Sequence, residues 1–166
     1  MADAVKIHNI DAISNLAALL SATAEKDPKL GWDVGLNSLI NCLDVAKELN
    51  CAVFTPSSIG AFGPNTPKDK TPQDTIQRPT TVYGITKVMG ELLSDYYYTR
   101  WGVDTRSVRF PGIISNLTLP GGGTTAYAVE IYHKAVTGEK FTCPIQRGPF
   151  MDMLPALIPI LPRRRR

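Results

Sequence analysis

The sequence contains only two histidines, His8 and His133, and three cysteines, Cys42, Cys51 and Cys143. An odd number of thiols without paired spacing argues against a disulfide framework and for free thiols in a reducing compartment. Two imidazoles leave no ligand set for zinc, so no metal site is expected. No apolar stretch reaches the length of a bilayer-spanning helix. The segment after Met1 has neither an apolar signal region nor the Arg- and Ser-rich character of a transit peptide. Asn116-Leu-Thr118 is a glycosylation sequon, read as silent without a secretory signal. Charge of one sign is scarce as well. The net charge is +3, and four basic residues stand together at 163–166, where they read as a solvated tail. The nearly neutral remainder offers no nucleic-acid face, and no membrane partner is expected. Finally, no Gly-x-Gly-x-x-Gly run occurs, and the only glycine cluster, Gly121 to Gly123, lies late and follows Pro120. A dinucleotide-binding fold opens with a strand, that run and then a helix. The residues that would cradle a pyrophosphate are missing from this sequence.

What is present suits one globular domain, with 43% hydrophobic residues in 166. Residues 1–13 read as a leader. The apolar run from Ser14 to Ala22 reads as a buried strand, and Glu25 to Gly31, with Pro28, as a loop. Trp32 to Leu49 carries apolar residues at Trp32, Leu36, Leu39, Ile40, Leu43, Val45 and Ala46, close to helical period, with Asn50 suited to the C-terminal cap. Cys51 to Ser57 reads as the next strand. A loop with Pro64, Pro67, Pro72 and Pro79 follows, longer than is common unless functional. A helix over 80–101 closes at Gly102, a strand over 103–114 is interrupted at Pro111-Gly112, and a helix over 124–137 ends at Gly138. This alternation predicts a parallel α/β sheet of the doubly wound kind. Beyond Cys143 the character changes. Residues 144–166 read as a divergent tail whose prolines at 155, 159 and 162 predict neither regular helix nor strand.

The chemistry concentrates in Thr81-Val-Tyr-Gly-Ile-Thr-Lys87. Four residues apart on a helix, Tyr83 and Lys87 share one face. An ammonium close to a phenol favours the phenolate, which can take a proton from an alcohol while hydride leaves the same carbon. With six tyrosines in the chain the spacing alone is weak, and its context decides. Upstream, Cys51-Ala-Val-Phe-Thr-Pro-Ser-Ser58 is a strand that ends in hydroxyls, with Ser58 25 positions before Tyr83.

A strand-end serine, a loop and a Tyr-x-x-x-Lys helix resemble the active-site order of the extended short-chain dehydrogenase/reductases. Pro56-Ser-Ser-Ile-Gly-Ala-Phe-Gly-Pro64, Gln77-Arg-Pro79, Tyr83-Gly84, Arg109-Phe-Pro-Gly-Ile-Ile114 and Gly121-Gly-Gly-Thr-Thr125 resemble the L-threonine 3-dehydrogenases of that family, over roughly residues 14–143. The resemblance implies a partial Rossmann-type sheet that lacks its N-terminal strands and Gly-rich loop. It implies NAD as cofactor and L-threonine as the parent substrate, oxidised to 2-amino-3-oxobutanoate. Ser58, Tyr83 and Lys87 would be catalytic. Leu20, Tyr83, Lys87 and Ile113 would contact the cofactor, and Ser58, Tyr83, Gly121, Thr124 and Thr125 the substrate. The same threonines would also serve as a helix N-cap. Two departures stand out: Ala126 replaces the aspartate usual after Gly-Gly-Gly-Thr-Thr, and Gly35 replaces an asparagine in a helix behind the lysine. With the phosphate-binding half absent, the chain is expected to be inactive alone and to bind NAD weakly. Nucleotide-sugar epimerases and dehydratases share the Ser, Tyr and Lys but leave Gly121 to Thr125 unexplained. A non-enzymatic remnant that binds full-length relatives is the remaining reading. Family members commonly dimerise through the Tyr-x-x-x-Lys helix, so Glu91 to Arg100 would offer a surface for a homodimer or for a full-length relative. Mitochondrial location in the family rests on a presequence; made as written, the chain would be cytoplasmic.

Overall fold

The computed structural model describes residues 1–115, 119–148 and 150–155. The sequon at Asn116 to Thr118 and the arginine run at 163–166 lie outside them. The chain forms two compact units, Met1–Phe110 and Pro111–Arg166.

The first unit is built on a three-stranded parallel sheet with strand order β1-β2-β3, where β1 is Ala12–Ser14, β2 is Ala52–Ser58 and β3 is Thr105–Phe110. Two long helices make the crossovers, α4 (Ser38–Leu49) from β1 to β2 and α5 (Val82–Trp101) from β2 to β3. The strand order advances in one direction, so two right-handed crossovers lay both helices on one face. Accordingly α4 and α5 pack on each other and both on β2. The core lies between them, with Leu39, Cys42, Leu43 and Ala46 of α4, Val53 of β2 and Tyr97 of α5 buried together. Along β2, Val53 and Ser57 are buried towards the helices, as the period of two requires. Val108, paired with Pro56, is half exposed on β3. This unit therefore carries one helical layer of the expected doubly wound sheet.

Local chemistry explains the helix ends. Asn50 and Gly102 adopt left-handed conformations, with φ of 54° and 71°, and terminate α4 and α5. Four expectations are corrected. The run 14–22 is not a strand: β1 ends at Ser14, and α2 (Ser21–Lys26) begins just after Leu20. Leu16 and Leu20 are exposed, so apolar content here does not report burial in a ladder. Pro28 opens α3 (Pro28–Trp32), with the Asp27 carboxylate accepting from Leu30 N at 3.0 Å, because proline suits the first turn of a helix. Between α3 and α4 the backbone makes a π-helical turn over Asp33–Asn37. Residues 2–7 form α1 (Ala2–Ile7), whose Val5 is buried in the core.

The second unit pairs β4 (Gly112–Ile114) with β5 (Met153–Pro155) in parallel and adds α6 (Tyr127–Thr137), closed by Gly138 with φ of 71°. The prolines of the tail were expected to exclude a strand here. Met153–Pro155 pairs regardless, because β5 is only three residues long and Pro155 is its last residue, where no further ladder bond is required. All three cysteines are free, Cys42 and Cys51 buried and Cys143 exposed.

Candidate active site

In the first unit, Ser58 is the last residue of β2, paired with Phe110, and Tyr83 is the second residue of α5. A 3-10 turn, Ile59–Ala61, joins the strand end to the loop. Ser58 Oγ accepts from Gly60 N at 3.0 Å. A Cβ on Gly60 would lie 3.1 Å from Tyr83 Cε1 and 3.4 Å from Ser58 Oγ. The bare backbone at Gly60 is thus packed between the hydroxyl and the phenol ring. Lys87 lies one turn on. Its Nζ sits 5.3 Å from the centre of the Tyr83 ring and donates to the Pro56 carbonyl oxygen at 2.7 Å. Burial of the ammonium pulls the Lys87 pKa below its ordinary value. The structure thus brings Ser58, Tyr83 and Lys87 together, with the lysine anchored on the strand that carries the serine.

The start of α5 is fixed with care. Val82 N donates to Glu25 Oε1 of α2 at 2.7 Å, and Gly84 N to Thr81 Oγ1 at 3.0 Å. Two of the first helical N–H groups are thereby satisfied by side chains, one of them ionic and placed at the positive end of the helix dipole. Gly84 admits no side chain, since a Cβ there would come within 2.3 Å of the Gly60 carbonyl oxygen and 2.5 Å of Pro79 Cβ. Gly84→Ala must push that backbone away from Tyr83. It is expected to destabilise the chain by about 1–3 kcal/mol, as overpacking does, measured as a lower denaturation midpoint. An unchanged midpoint would show that the loop yields freely.

Sequence reasoning missed the hub beneath these residues. Glu91, one turn past Lys87 on the same face, receives Arg109 Nε at 2.9 Å, Arg109 Nη2 at 2.7 Å and Gln77 Nε2 at 2.9 Å, together with the hydroxyl of Ser57. Arg109 Nη1 also donates to the Gln73 carbonyl at 2.8 Å, and its guanidinium lies 5.3 Å from the Phe62 ring centre. One carboxylate therefore ties α5 to the end of β2, to β3 and to the proline-rich loop. The pair is well covered, with 19% of the Arg109 and 14% of the Glu91 side chain exposed. Burial alone would raise the Glu91 pKa. The hydrogen bonds from Arg109, Ser57 and Gln77, and the guanidinium charge, outweigh it and hold the carboxyl below its ordinary range. The available signal was the continued spacing Tyr83, Lys87, Glu91. This also corrects the picture of Glu91 as part of an outer dimer surface: it points inward, while Leu92 and Tyr96 are exposed.

Gly35 falls in the π-helical turn, where a Cβ would stand 3.0 Å from Thr86 Cγ2. Glycine there lets the backbone approach α5, rather than merely weakening a helix. Leu20 is exposed at the entry to α2, its carbonyl accepting from Thr23 N and Ala24 N. The remaining candidates, Ile113, Gly121, Thr124 and Thr125, belong to the second unit. Ile113 is half exposed in β4. Thr125 packs on β4, its Cγ2 3.0 Å from the place a Gly112 Cβ would take. Neither threonine caps α6: its N-cap is Ala126, with no side-chain cap bond. Among the described residues no group of His, Cys, Asp or Glu could hold a metal ion, and no helix is long and apolar enough to cross a membrane.

Ser58, Tyr83 and Lys87 thus sit together on a parallel α/β frame. Residues 1–145 match the NAD dependent epimerase/dehydratase family, and the chain belongs to it. It is 58% identical over 154 residues to an uncharacterized epimerase/dehydratase of Staphylococcus aureus, covering 93% of this chain and 48% of that protein. It is also similar to the L-threonine dehydrogenase of Clostridium difficile, with a TM-score of 0.89 and 56% identity over 93% of this chain and 48% of that one. The L-threonine dehydrogenase from Cupriavidus necator in its holo form matches with a TM-score of 0.89 and 50% identity, over 93% of this chain and 50% of that one. A UDP-glucose 4-epimerase of Thermus thermophilus in complex with NAD, at 18% identity and a TM-score of 0.80, shares the fold. The chain spans about half the length of these relatives. At 154 residues, the aligned stretch is longer than the 130-residue resemblance read from motifs alone.

Proposed function

We propose that these residues form the catalytic portion of an NAD-dependent L-threonine 3-dehydrogenase, without the residues that bind the cofactor's phosphates. The observation that carries this reading is the packing of Ser58, Gly60 and Tyr83 against one another beside Lys87. Ser58 hydrogen-bonds the 3-hydroxyl of threonine and aims it at Tyr83. The Tyr83 oxygen takes that proton, and the carbon becomes the ketone of 2-amino-3-oxobutanoate. Lys87 has three donors, of which the Pro56 carbonyl takes one. The others suit the hydroxyls of a nicotinamide ribose, and the residues therefore fit the nicotinamide end of NAD. Bound NAD supplies the hydride acceptor. Nothing in these residues fits the pyrophosphate, which needs N–H groups at a glycine-rich helix start. By the family resemblance Leu20 and Ile113 are assigned to the cofactor, and Gly121, Thr124 and Thr125 to the substrate.

The chain alone is accordingly expected to be inactive. Joined to the amino- and carboxy-terminal portions of a threonine dehydrogenase relative, it should reduce NAD when given L-threonine and not when given a nucleotide sugar. The opposite preference would replace this reading with that of an epimerase or dehydratase.

A further inference from the structure

Behind Lys87 lies a small cavity of about 20 Å³, bounded by Asn15 after β1, Thr55 and Ser57 of β2, Thr86 and Lys87 of α5, and Gly35 of the π-helical turn. Polar groups of Asn15, Thr55, Ser57, Thr86 and Lys87 share the wall with apolar Ala17, Ala18 and Leu39. Ser57 donates to Glu91 and Thr86 donates to the Tyr83 carbonyl, so each hydroxyl oxygen keeps acceptor capacity. Thr55 differs: its Oγ1 is out of contact with bulk solvent and has no hydrogen-bond partner among the protein groups. A buried hydroxyl in that condition is costly unless a partner is supplied. Lys87, on the same wall, is anchored by its bond to the Pro56 carbonyl. An orphan hydroxyl and residues with free lone pairs therefore line one space. A cavity of about 10–15 Å³ suffices for one water, provided two to four polar partners surround it.

We infer that this cavity binds a single ordered water, bonded to Thr55 Oγ1, which forms a fixed part of the floor beneath Lys87. The space is too small for any organic ligand, and the neighbouring ammonium disfavours a cation. The water satisfies Thr55 and can donate to the lone pairs of the Ser57 and Thr86 hydroxyls. It belongs to the fold of the first unit and does not depend on which substrate the site accepts.

Two measurements on the 166-residue chain test this. The first is nuclear Overhauser contact between the Thr55 methyl group and a long-lived internal water, which is expected in the unmodified protein. The second is the melting temperature of Thr55→Val, which keeps the shape and removes the hydroxyl. If water is bound, the variant strips it of a partner and melts lower, by about 3 °C for a loss near 1 kcal/mol in a chain of this size. A dry cavity gives the opposite sign, because deleting an orphan hydroxyl then raises the melting temperature. Absence of the methyl–water contact, or a melting temperature that is unchanged or raised, overturns the inference. The contact in the unmodified chain decides the question even if the variant fails to fold.

Discussion

Tyr83→Phe is expected to lower threonine turnover by about 10²–10⁴-fold, the usual worth of a positioned general base, once these residues are joined to the missing portions of a relative. The substitution removes the proposed proton acceptor and leaves the ring in place. The ring packs on Gly60, and the α5 N-terminus is held independently by Glu25 and Thr81. The variant should therefore fold and bind substrate nearly as the parent does, with the loss confined to kcat. Steady-state rates at saturating threonine and NAD provide the check. A variant with parental turnover would remove Tyr83 from the chemistry. A loss expressed only in KM would assign it to binding.

Glu91 carries the second large effect, this one on stability. Glu91→Gln leaves the largely covered Arg109 guanidinium without its counter-charge, and removing one partner of such a pair costs about 3 kcal/mol or more. That is a large share of the roughly 5–15 kcal/mol that holds an ordinary domain together. Arg109→Met should cost a similar amount. The double variant should cost clearly less than the two together, because it leaves no unpaired charge. Denaturant midpoints for the four proteins measure the coupling; strict additivity would mean that the contact does not hold α5 to β2 and β3. The pH dependence follows from the same residue. Its carboxyl is held below the ordinary 4.5, so the unfolded chain binds the proton more readily. The stabilisation is complete above about pH 4.5 and is lost as pH falls through the lowered folded-state value. Glu91→Gln should remove that part of the acid sensitivity.

The contrast between Tyr83 and Glu91 shows what the sequence could and could not disclose. The juxtaposition of Tyr83 and Lys87 was legible because their spacing is local and their context, a strand ending in Ser58, precedes them in order. Asn50 and Gly102 were legible as helix ends for the same reason, since a left-handed cap is a property of one residue. Glu91 was not, because its partners Ser57, Gln77 and Arg109 come from three separate segments. A glutamate in mid-helix looks like a solvated residue until the fold closes around it. The boundary of β1 was misjudged on Leu16 and Leu20. Apolar content marks a buried strand only when something covers it, and here both side chains are exposed. Pro155 misled in the other direction, because a three-residue edge strand needs almost no ladder.

The proposed separation of the catalytic residues from the phosphate-binding ones is tested most directly by titrating NAD into the 166-residue chain in a calorimeter. The same titration is then made on the chain completed with the amino-terminal portion of a relative. Without backbone N–H groups at a glycine-rich helix start, the chain alone should bind no more tightly than about 1 mM, equivalent to roughly 4 kcal/mol. The completed protein should reach the micromolar range. Micromolar affinity in the chain alone would show that these residues already hold the whole cofactor, and would contradict the division of labour proposed for them.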